Sequence, residues 1–411
     1  MMLDALRGSE ICRACSSRNL FSALDLGMLP IANELLTTDT STDVFPLHMS
    51  ICRDCGLGQV QDVVTPERLF RDYRYLSSVS QTFLDHASNF AKKVHEELEW
   101  HSQDWILEIA SNDGYMLRNF VNRGLKVVGI EPAINVAEIA RSRGIETISE
   151  FFGVKLAKEI LQKHGYPRLI IANNVFAHVP DIQDFTEALS LLMDSRTLVS
   201  IENPSIMNLL IGLQFDSIYH EHYSYLSATS VSNLVQRFGV ELVDIEQILT
   251  HGGSNRYWLS KDFSLKKKVV EQVAEFEVQE GLFDEGQWKA FSSKVDRILS
   301  KFSAFVQERN SLGETVAGYG AAAKASTLIN SSKISKGEIA FIVDESPEKY
   351  GRFMPQAGIP IVSKNYLTES SIEHIVIFPW NLADEIARKI KVSLPDEVQI
   401  WRAIPELELV Q

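Results

Sequence analysis

The sequence predicts an α/β chain in three parts. A small metal-binding segment comes first, then a doubly wound parallel sheet, then a second α/β region. Three observations carry this. All four cysteines fall within the first 55 residues, as two C-x-x-C pairs. From Trp105 onward, short apolar runs alternate with amphipathic stretches of about ten residues, the pattern of parallel strands joined by helices. A Gly-x-Gly-x-x-Ala loop follows a further apolar run at 318–323 and restarts the alternation.

Length and charge bound the class. A chain of 411 residues accommodates two or three domains and needs no disulfides to hold a core. Hydrophobic residues at 45% and charged residues at 23% exclude global disorder. Forty basic against 54 acidic side chains leave a net charge of −14, with a pI near 5.3. That argues against nucleic acid or an anionic membrane as partner, since both require a basic face. No apolar run reaches the ~18 residues of a membrane span. The opening Met-Met-Leu-Asp-Ala-Leu-Arg lacks the basic and apolar regions of a signal peptide, so the expected location is cytoplasmic.

Cys12, Cys15, Cys52 and Cys55 read as two knuckles separated by 36 residues. Two pairs of thiolates suit tetrahedral zinc, and a full set of four sulfurs makes the ion structural. Disulfides are disfavoured in a reducing compartment, and a thioredoxin-like motif needs only one pair. Gly56 and Gly58 are placed to relax the second turn.

The metal segment is assigned to 1–65, a central domain to 66–255 and a C-terminal domain to 256–411. Leu84, Ala87, Phe90, Ala91 and Val94 recur at helical spacing after a hydroxyl-rich loop, Tyr73–Ser80. Strands are expected at 105–109, 126–130, 147–148, 169–172 and 197–201, with helices between them stopped at Gly124 and Gly144. Long helices fill 262–313, and strands recur at 315–317, 339–343 and 375–378.

The loop after the first central strand reads Glu108-Ile109-Ala110-Ser111-Asn112-Asp113-Gly114. Ligands of open α/β sheets bind at this edge. Glu131 ends the next strand, 23 residues after Glu108, where an acid can accept ribose hydroxyls. Glu150 follows the third strand, where it can face an adenine amino group. The loop lacks the G-x-G-x-x-G of a pyrophosphate site, so a ligand with ribose and adenine but no phosphate fits better. S-adenosylmethionine is such a ligand.

Taken together, the paired C-x-x-C segment, the Tyr73–Ser80 loop, Glu108–Tyr115, Ala172–Asp181, Tyr219–Tyr225 and Gly318–Lys324 resemble the sugar C-methyltransferases that act on dTDP-linked keto-deoxysugars. The resemblance covers nearly the whole chain. It implies a central class I S-adenosylmethionine methyltransferase domain and a C-terminal Rossmann-like domain that adds to the nucleotide-sugar cleft. It implies cofactor contacts from Glu108, Ala110, Asn112, Asp113, Gly114, Glu131, Glu150 and Asn173. Ala110 stands where that family usually has Gly. It further implies methyl transfer to carbon 3 of a 4-keto sugar, or in some relatives to carbon 5.

Carbon methylation beside a ketone needs a base for the proton and a donor for the growing oxyanion. Tyr219, His220, Glu221 and His222 lie consecutively beyond the fifth strand. If extended, Tyr219 and Glu221 point one way and the two histidines the other. The resemblance implies that His222 is the base and that Tyr219, Glu221 and His178 share its site. The expected roles are Glu221 as orienter of the base, with Tyr219 and His178 near the ketone oxygen. Tyr73, Ser80 and Lys324 are substrate candidates.

The Gly318 loop admits three readings: a diphosphate contact, a purely structural role, or a rival NAD-dependent oxidoreductase with Asp344 on the ribose. A non-enzymatic zinc-ribbon adaptor is the third class of function, and the acidic balance weighs against it.

Overall fold

The computed structural model describes residues 5–6, 10–38, 42–61, 63–70, 76, 78, 81–248 and 252–410. Tyr73 and Ser80 lie outside the described residues.

The central sheet has seven strands. In spatial order they are Glu241–Ile248, Ser254–Ser260, Leu198–Pro204, Leu169–Asn173, Trp105–Ile109, Lys126–Ile130 and Thr147–Ile148. Numbered along the chain, the order from the far edge is 3-2-1-4-5-7-6, and only the seventh strand runs antiparallel. The chain order reverses between the strands 105–109 and 169–173. That switch point opens a crevice at the carboxyl ends of the strands.

Alternation along each strand builds both cores. Leu107, Ile109, Ile170 and Ala172 face one layer of helices, where Ile160, Phe185, Leu189 and Val231 pack. Ile106, Leu169 and Ile171 face the other, against Phe90, Val94, Phe120 and Ala140. Both faces are covered, so the strands read as continuous apolar runs. The strands at 241–248 and 254–260 escaped the sequence reading because they form an antiparallel hairpin with polar residues at its inner edge. The boundary read at 255/256 falls inside the second of them: Ser254–Ser260 pairs along its length with Leu198–Pro204.

The metal segment forms strands Leu20–Pro30, Val44–Cys52 and Gly58–Val60. Its fourth strand comes from far along the chain: Ser224–Tyr225 pairs with Gly58–Gln59. The C-terminal sheet orders Ile361–Val362, Ile342–Val343, Val316–Tyr319, His374–Ile377, Gln399–Arg402 and Glu408–Leu409, the last antiparallel. The helix Glu285–Ser311 joins these two sheets. Trp288, Phe291, Val295, Ile298 and Phe302 lie along its buried stripe, in one apolar cluster with Leu47, Met49 and Ile51 on one side and Val316, Ile342 and Val376 on the other. Among the described residues no helix is long and apolar enough to cross a membrane.

Candidate active site

The two knuckles fold alike. Ser16 N–H donates to the Cys12 carbonyl at 2.8 Å and Gly56 N–H to that of Cys52 at 2.9 Å, with Ser16 and Gly56 both left-handed at φ 64° and 77°. Gly56 thus serves the turn as expected. Gly58 instead serves packing, because a Cβ there would lie 2.6 Å from Ile206 Cδ1. The four sulfurs lie within 4.8 Å of one another, with Cys12–Cys55 at 3.5 Å and Cys15–Cys52 at 3.6 Å. Tetrahedral Zn²⁺ with bonds of about 2.3 Å spaces its sulfurs about 3.8 Å apart, so the cluster fits that ion.

At the sheet's ligand edge, Ala110 and Asn112 hold left-handed conformations at φ 55° and 49°. For an alanine this costs on the order of 1 kcal/mol, which a glycine would not incur. Glu131 ties the loop down: its carboxylate accepts Asn112 N–H at 3.0 Å and Ala133 N–H at 2.9 Å. Each carboxylate oxygen keeps a second lone pair for a ribose hydroxyl. Asp113 is fully buried and accepts from Arg143 at 2.9 Å, so it anchors the loop to the end of the neighbouring helix Ile134–Ser142. Glu108 departs from its expected role. It is buried inside the strand, takes the Leu117 N–H at the start of the next helix, and faces Glu131 and Asp113. Burial first, and those two acids next, push its carboxyl well above the usual range. Asn173 ends the fourth strand with its side-chain oxygen buried and unpaired among the described residues, and Glu150 is exposed beyond the third.

Residues 219–222 form a turn, not an extended run: His222 N–H donates to the Tyr219 carbonyl at 2.9 Å. The expected alternation therefore fails. Tyr219 and His222 share one side, with the hydroxyl 2.8 Å from His222 Nε2 and the rings 4.1 Å apart. His222 Nδ1 donates to the Ser217 carbonyl at 2.9 Å. A carbonyl only accepts, so the proton sits on Nδ1 and Nε2 presents a lone pair. Ser217, not Glu221, orients the ring. Glu221 turns away and accepts the backbone and side-chain N–H groups of Asn33 at 3.1 and 3.0 Å. His220 packs edge-on to Phe45 and donates to the Pro46 carbonyl at 3.2 Å.

His178 lies 4.6 Å from His222, ring to ring, and its Nδ1 donates to the Glu221 carbonyl at 2.6 Å. Burial lowers its pKa to about 4, so it is neutral at pH 7. A neutral ring with its proton on Nδ1 offers no donor at Nε2, so His178 cannot serve a ketone oxygen as anticipated. A water-sized cavity of about 20 Å³ adjoins His222, walled by Ala177, Ile206, Leu209 and Tyr225.

The Gly318 loop is filled by its own domain. A Cβ at Gly318 would lie 2.5 Å from the Phe378 ring, and one at Gly320 2.5 Å from Pro379 Cδ. Asp344 is spent on the loop itself, accepting Ala321 N–H and Lys349 Nζ at 2.9 Å each. The fingerprint therefore matches for reasons of packing. Lys324 is neither solvated nor extended into the cleft: its ammonium is buried 4.2 Å above the Trp380 ring and near Asp216.

A class I fold with this strand order, a tethered loop at the switch point and a four-cysteine zinc cluster together define an S-adenosylmethionine-dependent methyltransferase. The sequence matches three methyltransferase families: a zinc binding domain over 12–70, a methyltransferase domain over 74–245, and a C-methyltransferase C-terminal domain over 249–405. It is 32% identical over 415 aligned residues to C-methyltransferase NovU of Streptomyces niveus, covering 100% of this chain and 99% of that one. The chain belongs to this zinc-containing C-methyltransferase family. Among solved structures, a magnesium protoporphyrin IX methyltransferase from Synechocystis is similar at 11% identity and a TM-score of 0.32, over 44% of this chain and 79% of that one. An S-adenosylmethionine-dependent methyltransferase from Anabaena variabilis gives 11% and 0.34, over 46% and 96%. Membership of the C-methyltransferase family sets aside the oxidoreductase and adaptor readings.

Two outcomes follow from this geometry. Chelating the zinc, or replacing Cys12 and Cys52 with Ser, is expected to cut turnover more than a hundredfold while S-adenosylhomocysteine affinity, measured by calorimetry, changes only severalfold. The ion staples the sheet that seats residues 223–225, and a structural zinc is worth on the order of 10 kcal/mol. Glu108 gives a pH signature. Its folded pKa is raised, so the stability it confers is complete below its unfolded value of about 4.3 and is lost as pH climbs toward the folded value. Glu108→Gln removes that slope, so the melting temperature of the variant relative to wild type is expected to rise between pH 5 and pH 8.

Proposed function

We propose that the protein methylates the carbon beside the ketone of a nucleotide-linked 4-keto-deoxysugar, at carbon 3. The observation that carries this reading is His222. Its Nδ1 proton is committed to Ser217 and its Nε2 lone pair is turned toward a phenol. That pairing joins a base to an acid, which enolisation requires.

The sequence of events rests on this chain's own groups. The substrate ketone oxygen accepts the Tyr219 hydroxyl hydrogen bond in place of His222, which releases His222 Nε2. His222 then removes the proton from the adjacent carbon, and the C–H electron pair moves into the enolate held by Tyr219. S-adenosylmethionine, held by the Ala110–Gly114 loop and Glu131, would supply the electrophilic methyl group for this carbon, with its sulfur as the leaving group. His222 returns its proton to solvent. His178, neutral at working pH, keeps a second positive charge away from the imidazolium. Glu221 locks the turn by holding Asn33.

Glu131, Asn112, Asn173 and the Ala110–Gly114 backbone would hold the ribose and amino acid ends of the cofactor, with Glu150 at the adenine rim. Tyr73 and Ser80 are proposed at the sugar. The domains are proposed to divide at about 65 and 260. Support for a sugar substrate comes from the motif set over the whole chain, and support for a carbon acceptor from the full-length likeness to C-methyltransferase NovU.

His222→Asn is expected to leave S-adenosylhomocysteine binding intact and abolish methyl transfer, read by mass spectrometry of dTDP-4-keto sugars incubated with the cofactor. Turnover retained within about tenfold of wild type removes His222 as the base, given that general bases contribute ~10²–10⁴-fold.

A further inference from the structure

We propose that Trp380, in the C-terminal domain, is a positioning residue for the base: it holds Asp216, and with it the turn whose Ser217 carbonyl fixes the His222 tautomer. The proposal rests on the reading of His222 as the base.

Phe215–Ser217 is a single 3₁₀ turn ending five residues before His222. Its middle side chain, Asp216, is buried, and points away from the central sheet into the C-terminal domain. There its Oδ2 accepts the Trp380 indole N–H at 2.8 Å. A buried carboxylate goes where its donors are, since leaving it unpaired costs several kcal/mol. An indole N–H can only donate, so this bond has one sense. Lys324 adds a charge. Its ammonium has no hydrogen-bond partner among the described residues and lies over the Trp380 ring near Asp216, where it offsets part of the burial that raises that carboxyl to about 6.

The neighbouring position is held from the same domain. The Thr327 hydroxyl donates to the Ile218 carbonyl at 3.3 Å. One domain therefore grips residues 216 and 218, and the carbonyl between them, of Ser217, is the one that receives His222 Nδ1–H. Trp380 is itself well supported. It directly follows Phe378-Pro379, the pair that fills the space over Gly318 and Gly320. This gives the filled glycine loop a purpose: it sets the height of the Trp380 ring. If the turn drifts, the Ser217 carbonyl no longer selects Nδ1–H, and a proton on Nε2 removes the lone pair that takes the substrate proton.

The test uses the full-length zinc-loaded enzyme with ¹⁵N-labelled histidine and S-adenosylhomocysteine bound. The His222 signals are assigned by their loss in His222→Asn. Wild type is expected to show His222 as the Nδ1–H tautomer. Trp380→Phe keeps the ring and removes the donor; it is expected to give a tautomer mixture, a kcat lower on the order of tenfold or more as part of the ~10²–10⁴ general-base contribution, a displaced acid limb of the kcat profile, and a KM for S-adenosylmethionine within about twofold. Thr327→Val, which loses only the hydroxyl, is expected to do the same to a smaller degree and serves if the first variant fails to fold. A His222 tautomer and pH profile unchanged in the folded variants overturn the proposal. A shifted tautomer with undiminished turnover upholds the positioning and overturns His222 as the base instead.

Discussion

The structure depends on one pairing: the strand Ser224–Tyr225, which follows the turn at 219–222, is the edge strand of the zinc-stapled sheet. Four further bonds reinforce it. Val60 N–H donates to the Tyr223 carbonyl, the Tyr223 hydroxyl donates to the Val64 carbonyl, and Arg13 donates to the carbonyls of Val60 and Tyr223. Arg13 lies between the first two cysteines. Four thiolates and Zn²⁺ leave the cluster formally doubly negative, and a buried guanidinium beside it offsets part of that charge. The metal thus acts at a distance from the chemistry. It stiffens a sheet too small to be stable by apolar burial alone, and the sheet holds the turn.

Each residue of the turn answers to a different part of the chain. Glu221 is held by Asn33 and His220 by Pro46, both from the zinc segment. The Glu221 carbonyl holds His178 from the central sheet. Ser217 holds His222, and the segment carrying Ser217 leans on the C-terminal domain through Trp380 and Thr327. A short polar turn has little stability of its own. Here its conformation is set by three surrounding units, which is how a functional loop attains the rigidity of the elements around it.

Local signals carried the sequence reading well where the structure is locally determined. The apolar runs at 105–109, 126–130 and 169–173 are strands because nothing in their surroundings competes with the period. The cysteine knuckles were legible because the metal demands that spacing. The failures are nonlocal. Asn33, the partner of Glu221, lies 188 residues away, and no periodicity reports it. The sequence leaves open whether residues 219–222 are extended or turned, because the partners that hold them, Asn33 and Pro46, lie far along the chain. Glu108 carries the residue type expected of a cofactor contact, yet its position inside a strand decides its environment. The Gly318 fingerprint shows the reverse case, where a valid local match marks a need for close packing against Phe378 and Pro379 rather than a ligand.

The electrostatics of the site follow from how its two histidines are anchored. Both donate Nδ1–H to a backbone carbonyl, so each keeps its lone pair on Nε2 when neutral. Burial depresses His178 to about 4 and thereby keeps it uncharged when its neighbour takes a proton. Two imidazolium rings 4.6 Å apart would repel strongly in so dry a place, and the depressed member prevents that state from forming. The arrangement places the His222 Nε2 beside the Tyr219 phenol, with the buried carboxylate of Glu221 turned away from them to Asn33. In the proposed reaction an anionic carboxylate beside the developing enolate would raise the barrier to forming it. Holding Glu221 in a structural bond would then serve that reaction as directly as the presence of Tyr219 and His222.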